Sequence, residues 1–323
     1  MPTPDGIIRP ARRPPGWSAP GPRPAGLVHP DLRPGPREDL CFLTGDWRIL
    51  QRVDGHRWSL DDLVTAWVAV TSVPEDPGTH VDLGCGIGSV LMMVAWAFPR
   101  VRSLGVEAQP LSAALARRSL RYNGAADRVA VLERDHRRLG REEVARRLSG
   151  RMADQVGVAE PFAMGRRRAD EASRGDVARG SDLVTGTPPY FAQGAATAPA
   201  GVQREACRFT VRGGMEDYVS SAVRIVSPEG RVVLCGAIAQ YCELERSAAK
   251  EGWGLVRRVT VVPREGKEPL LFVAVLAAGA RSTREDTLVV RDARGQWTPS
   301  FVALRERMGM PPAPSRAGDR TAG

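Results

Sequence analysis

The sequence predicts an α/β protein: a mostly parallel sheet of seven strands, helices on both faces, and an antiparallel final strand. Three observations carry this. Apolar runs of strand length alternate with helical stretches between residues 79 and 276. The first run leads into a glycine-rich turn that opens a helix, VDLGCGIGSV at 81–90. The last two runs are joined by REGKE, which is too short for a crossover helix, so they must form an antiparallel hairpin.

The elements follow in order. Residues 1–40 are dense in Pro, Arg and Gly, have no apolar periodicity, and are expected to be disordered or loosely extended. A single domain is expected over 41–310. It opens with two short strands in 47–58 around the turn pair Asp54-Gly55. A helix follows from about 61, with Ser59 placed to cap it and Asp61 and Asp62 in its positive first turn. Strands are expected at 79–85, 102–107, 128–134, 182–187, 230–236, 255–263 and 269–276, and helices at 88–98, 110–122, 214–226 and 239–251. A charged insertion interrupts the pattern at about 137–180. Its first part fits a helix in which Glu142 and Glu143 pair with Arg146 and Arg147. Residues 311–323 are expected to be a second disordered tail.

Composition narrows the function classes. No apolar run reaches the roughly 20 residues needed to span a bilayer. The N-terminus lacks an apolar signal region, so a cytoplasmic protein is expected. The five cysteines (41, 85, 207, 235, 242) are scattered without a CxxC pair, so no structural metal site is expected. The net charge of +9 invites a polyanionic partner. All but two of its 46 basic residues are arginines (Lys250 and Lys267 are the exceptions), which equally suits a GC-rich genome.

The glycine-rich turn points to a cofactor. Gly84, Gly86 and Gly88 let the backbone pass close to a ligand. Asp82 precedes them; a carboxylate there repels a pyrophosphate and suits an ammonium group. Glu107 ends the next strand, 19 residues beyond Gly88, where an acid accepts hydrogen bonds from ribose hydroxyls. Asp135 ends the third strand, placed to receive an adenine amino group. The set fits S-adenosylmethionine better than NAD. With the terminal hairpin, it resembles the class I methyltransferases, whose Rossmann-like seven-stranded sheet carries a reversed final strand.

DLVTGTPPYF (182–191) raises the question of the reaction. Thr187, Pro188, Pro189 and Tyr190 resemble the Asn/Asp/Ser-Pro-Pro-Tyr/Phe turn of amino-methyltransferases. That resemblance implies a catalytic role. The side-chain oxygen at 187 and the carbonyl of Pro188 grip the hydrogens of an exocyclic amine, aiming its lone pair at the methyl group. Proline rings hold such acceptors still. Tyr190 would stack a flipped-out base, and Phe191 would line its pocket. Thr187 departs from the family pattern, being shorter than Asn. Either the substrate sits nearer the strand, or a water intervenes, or the turn has lost catalysis.

Further segments resemble the bacterial N6-adenine methyltransferases that modify nucleotide 37 of a valine tRNA. These are GHRWSLDDLVTAW (55–67), QREACRFT (203–210), the hairpin VVPREGKEPLLFVAVL, and TLVVRDARGQWTPSFVAL. The resemblance covers about 42–308 and implies tRNA as partner, with Arg204 and Arg208 on phosphates beside the target base. Release-factor glutamine N5-methyltransferases and ribosomal RNA guanine N2-methyltransferases share the double-proline turn. The first carry a helical N-terminal domain and the second often a duplicated one, and neither is visible here. A cofactor-binding RNA-binding protein without catalysis is the alternative of another class.

Overall fold

The computed structural model describes residues 6–11, 13–73, 75–150, 180–190 and 213–312. Eleven strands and seven α-helices are found among them. In order they are β1 (Ile7–Ile8), β2 (Glu38–Thr44), β3 (Trp47–Arg52), α1 (Leu60–Ser72), β4 (Thr79–Leu83), α2 (Ser89–Ala97), β5 (Arg102–Glu107), α3 (Pro110–Tyr122), β6 (Val129–Glu133), α4 (Arg141–Ser149), β7 (Ser181–Gly186), α5 (Met215–Ile225), β8 (Val226–Ala237), α6 (Tyr241–Lys250), β9 (Trp253–Val262), β10 (Leu271–Ala278), β11 (Arg284–Val289) and α7 (Pro299–Arg307).

Eight strands form one sheet in the order β11-β9-β10-β8-β7-β4-β5-β6. β4 to β8 are mutually parallel. β10 runs antiparallel to both β8 and β9 and slots between them. All seven expected strands are present, and the REGKE hairpin is β9–β10. β4 is central and buried on both faces: Val81 and Leu83 join one core cluster, the alternate residues His80 and Asp82 are buried polar groups, and the neighbouring β7 sends Leu183 into the other cluster and Val184 into the first. A parallel strand covered on both sides reads as a continuous apolar run. Helices α1, α2 and α3 cover one face, and α4, α5 and α6 the other.

Four features differ from the sequence expectation. First, the early hairpin pairs β2 with β3 around Gly45-Asp46, not two strands around Asp54-Gly55. Asp54 and Gly55 do form a turn, with Arg52 bonded to the Asp54 carboxylate at 3.1 Å. The chain then leaves the sheet for α1, because β3 is already paired with β2 and tied to α3. Asn123 fastens that side: its Oδ1 accepts from Arg48 N (2.9 Å) and its Nδ2 donates to Arg48 O (2.7 Å).

Second, between β1 and β2 the described residues are mostly irregular but bound to the body. Leu32 is fully buried, Arg9 N donates to Leu40 O, and Gly26 N donates to Tyr122 O. Third, the start of the expected insertion belongs to the fold, since α4 buries Val144 and Leu148. The expected Glu143–Arg147 pair is present at 3.8 Å; the rest, 151–179, lies outside the described residues, as does most of the C-terminal tail. Fourth, β11 and α7 add to the edge beside β9. Both neighbours of β10 are taken, so the chain leaving it runs back along the far side of β9.

The N-terminal segment, the β2–β3 turn and the C-terminal end of the described chain meet at Trp96. A Cβ on Gly21, Gly45 or Gly309 would lie within 2.4–2.7 Å of its indole, and all three glycines have positive φ. Gly45 N also donates to Gly309 O at 3.0 Å. Gly45→Ala is therefore expected to destabilise the protein by about 1–3 kcal/mol from backbone strain alone, with the clash against Trp96 added. Gly35→Ala, where a Cβ meets nothing closer than 3.6 Å, should stay within about 0.5 kcal/mol. Urea midpoints of the two variants check this; equal midpoints would remove Trp96 as a clamp.

Candidate active site

The turn between β4 and α2 is built by three glycines in the left-handed region, where a side chain is strained. Gly84, Gly86 and Gly88 have φ of 60°, 55° and 88°. A Cβ on Gly84 would sit 2.1 Å from the Tyr218 hydroxyl. The turn is held from the neighbouring strand: Glu107, at the end of β5, accepts from Gly86 N (2.9 Å) and from Gln109 N (2.6 Å). A crevice opens beside it, at the carboxyl ends of the parallel strands, where open α/β sheets place ligands. Its enclosed part holds about 80 Å³ and continues into an open groove.

Of the residues singled out in the sequence, the crevice brings together Gly84, Gly86, Glu107, Asp135, Thr187 and Pro189. Gly88 caps α2 beneath the turn. Asp82 is placed differently from expectation. It is buried under the turn and does not line the crevice. Its Oδ1 accepts from Thr185 Oγ1 on β7 (2.6 Å), and its Oδ2 accepts from Leu91 N of α2 (3.1 Å). The sequence expectation of a carboxylate reaching up to an ammonium group is replaced by one that knits strand to helix.

Thr185 also bonds His80 Nε2 at 2.9 Å, and His80 Nδ1 faces Ser103 Oγ at 3.3 Å. Burial drops His80 to about 3, so it is neutral, and raises Asp82 to about 7. The sequence shows neither relation, because strand pairing alone brings 80, 103 and 185 side by side.

Asp62 is the crevice carboxylate that the sequence reading treated only as a helix-start residue. It lines the crevice with His56 and Ser89. It also accepts from Ser59 N at 2.9 Å, as the expected capping of α1 requires. Burial and the adjacent Asp61 raise its pKa. The signal was two consecutive acids at a helix start: one is enough for a cap.

Asp135, beside Glu107, is held low, at about 2, by Arg137. That side chain bonds both carboxylate oxygens, at 2.6–3.1 Å.

The TPPY turn follows β7. Pro188 and Pro189 are buried and Thr187 is half-buried at the crevice wall. Gln240 Nε2 donates to Pro189 O at 2.9 Å, which occupies the second proline's carbonyl. Tyr190 is turned toward the body: its hydroxyl donates to Asp61 Oδ2 at 2.6 Å and lies 3.4 Å from Cys235 Sγ. The first turn of α1 therefore reaches both the crevice, through Asp62, and the double-proline turn, through Asp61. Phe191, Arg204 and Arg208 lie outside the described residues. Among the described residues, no cluster of His, Cys, Asp and Glu is arranged to hold a metal, and no helix is long and apolar enough to cross a membrane.

Comparison with known proteins places this geometry. No family model matches the chain. A curated tRNA1(Val) (adenine(37)-N6)-methyltransferase of Tolumonas auensis is 30% identical over 125 residues, 39% of this chain and 52% of that protein, so this alignment spans about half the relative's length. Enzymes of the same name from Porphyromonas gingivalis and Yersinia enterocolitica are 25% and 24% identical, over 76% and 75% of this chain and 84% and 81% of theirs. Among solved structures, a predicted O-methyltransferase from Agrobacterium tumefaciens superposes with a TM-score of 0.51 at 19% identity, covering 78% of this chain and 98% of that one. That likeness shows the fold, a Rossmann-like methyltransferase sheet.

The buried network makes a pH prediction. Asp82 has a folded pKa raised from 3.8 to about 7, so the folded state holds a proton that the unfolded chain has lost across that interval. Its contribution is present at low pH and disappears as pH rises from about 4 to about 7. His80, lowered from 6.5 to about 3, acts with the opposite sign over nearly the same range, and the wild-type curve is correspondingly shallow. Asp82→Asn removes only the first. Relative to wild type, the variant should gain stability between pH 4 and 8, by up to a few kcal/mol. Urea unfolding at pH 4.5, 6 and 8 reads the difference; a constant offset would show that Asp82 ionises normally in the fold.

Proposed function

We infer that this chain, a methyltransferase by fold and homology, transfers a methyl group from S-adenosylmethionine to the N6 amine of an adenine in tRNA, in the cytoplasm. The observation that carries the reading is the grouping of acids around a bare glycine turn. Asp62, Glu107 and Asp135 line the crevice beside the turn, and Asp82 lies buried beneath it. Acids gathered in a buried crevice suit a cationic ligand and repel a pyrophosphate. S-adenosylmethionine fits: bound, it supplies a methyl group on a positively charged sulfur.

The chain's own residues would hold it as follows. Glu107, held at the crevice wall by the backbone N–H groups of Gly86 and Gln109, would accept from the ribose hydroxyls. Asp62 faces the crevice as the carboxylate for an ammonium group, the role the sequence suggested for Asp82. Asp135 accepts from an adenine amino group, sharing its oxygens with Arg137. The positive φ glycines keep side chains off the ligand.

For the reacting amine, Thr187 Oγ1 and the Pro188 carbonyl are the acceptors. The Pro189 carbonyl is committed to Gln240, which leaves Pro188 as the backbone acceptor of the turn. Tyr190, packed on the core and anchored by Asp61, holds the double-proline turn in place; the base stacking expected of it is not supported by this placement. Arg204, Arg208 and Phe191 complete the RNA contacts in this reading. The names of the curated relatives support adenine 37 of a valine tRNA as the target.

Mass spectrometry of tRNA nucleosides with and without the gene is the direct test, with N6-methyladenosine lost in its absence. At the level of residues, Glu107→Ala should weaken S-adenosylhomocysteine binding by about 1–3 kcal/mol in calorimetry. Unchanged affinity would remove Glu107 from the cofactor site. Thr187→Val keeps the shape and removes the acceptor, and turnover should fall about 10- to 1000-fold. Equal turnover in wild type and variant would leave the grip on the amine to the Pro188 carbonyl alone.

A further inference from the structure

A second cavity, of about 460 Å³, is walled by the N-terminal segment, the β2–β3 hairpin and the chain after α7. Its volume is in the range that takes a nucleotide-sized ligand. Trp58 lines it, two residues beyond His56, which lines the crevice. Met310 and Phe42 add apolar surface, and Arg9, Arg13 and Arg305 supply charge; none of the described residues lining the cavity is an acid.

The arginines around this cavity are under-neutralised. Arg9 and Arg57 converge on a single oxygen of the buried Asp39, at 2.7 and 3.0 Å. Arg13 pairs with Asp46 and also stacks over Phe42. Arg305 has no acidic partner among the described residues. Its Nη groups reach Met310 Sδ (3.4 Å) and Pro311 O (3.3 Å), its guanidinium lies over the Trp297 ring at 4.1 Å, and its Nε is buried with no hydrogen-bond partner among the described residues. A half-buried guanidinium left in this way is costly until an anion meets it. An aromatic and apolar wall beside unpaired arginine matches the two parts of a nucleotide, a flat base and a phosphate.

We propose that this cavity binds one unstacked nucleotide of the RNA strand, apart from the target adenosine, with its phosphate on Arg305 and Arg13 and its base against Trp58 and Met310. The proposal rests on RNA being the substrate. Because the segment 56–62 lines this cavity through Trp58 and the crevice through His56 and Asp62, the site is built to read a second point of the same RNA.

The test is fluorescence anisotropy of a labelled single-stranded RNA pentamer on the full chain, titrated across salt. Arg305→Gln and Arg13→Gln should each weaken binding about 3- to 10-fold near 0.1 M salt and lower the slope of log K against log salt by roughly 0.7, one lost phosphate contact. S-adenosylhomocysteine affinity should be unchanged in both. AMP should compete with the pentamer, and inorganic phosphate at the same concentration should not. Wild-type RNA affinity and slope in both variants would overturn the site. So would displacement by phosphate alone or by a polyglutamate peptide as effective as AMP, since the cavity would then be a general anion or protein site. Failure of S-adenosylhomocysteine to bind wild type would instead overturn the methyltransferase reading and leave these RNA measurements standing.

Discussion

A carboxyl group with no positive partner among the described residues, Asp82, sits beneath the turn on which the site is built. It accepts hydrogen bonds from the Thr185 hydroxyl on β7 and from the backbone N–H of Leu91 in α2. These bonds fix how far the adjacent strand and the following helix stand from β4, and so fix where the three left-handed glycines lie. Glu107 then takes the Gly86 N–H from the other side. The turn is clamped between acids of adjacent strands while its upper surface stays free of side chains. Burial is what makes this arrangement sensitive: with no cation beside it, Asp82 is driven toward neutrality.

The first turn of α1 joins the two halves of the site. Asp62 serves the crevice and the helix cap together, and Asp61 next to it holds the Tyr190 hydroxyl. Consecutive residues on a helix point about a quarter-turn or more apart, so one short segment can touch the cofactor groove and the double-proline turn at once. Gln240, just beyond β8, braces the same turn from behind.

The outer layer has its own logic. The N-terminal segment is poor in apolar residues, yet it docks, because its polar backbone and arginines find partners in the hairpin and α3: Arg118 alone bonds Asp31 O, Arg33 O and the Glu38 carboxylate. Trp96 receives three glycines from three distant stretches of chain. The arginine-rich composition that tells nothing by itself is distributed unequally in space, with Arg9, Arg13 and Arg305 grouped around one cavity whose described lining residues include no acid.

What the sequence by itself determined is the central sheet and the position of the crevice. Strand-length apolar runs, the glycine turn and the short REGKE link are local patterns, and strands buried on both faces leave no freedom in how they read. The placement of Glu107, Asp135 and Thr187 at strand ends follows from the same periodicity, and the structure gathers them along one crevice. Tertiary structure decided the rest. The partner of β3 was upstream because a hairpin signal at Asp54-Gly55 says where a chain turns, not which edge it pairs with. β11 passed unnoticed since its place beside β9 depends on both edges of β10 being full. Asp62 displaced Asp82 in the crevice, and His80 met Thr185, because those relations join residues 20 to 105 positions apart. No local pattern encodes such contacts; they exist only once parallel strands lie side by side, 4.7–4.9 Å apart, and bring chemistry from separate stretches of chain within hydrogen-bond reach.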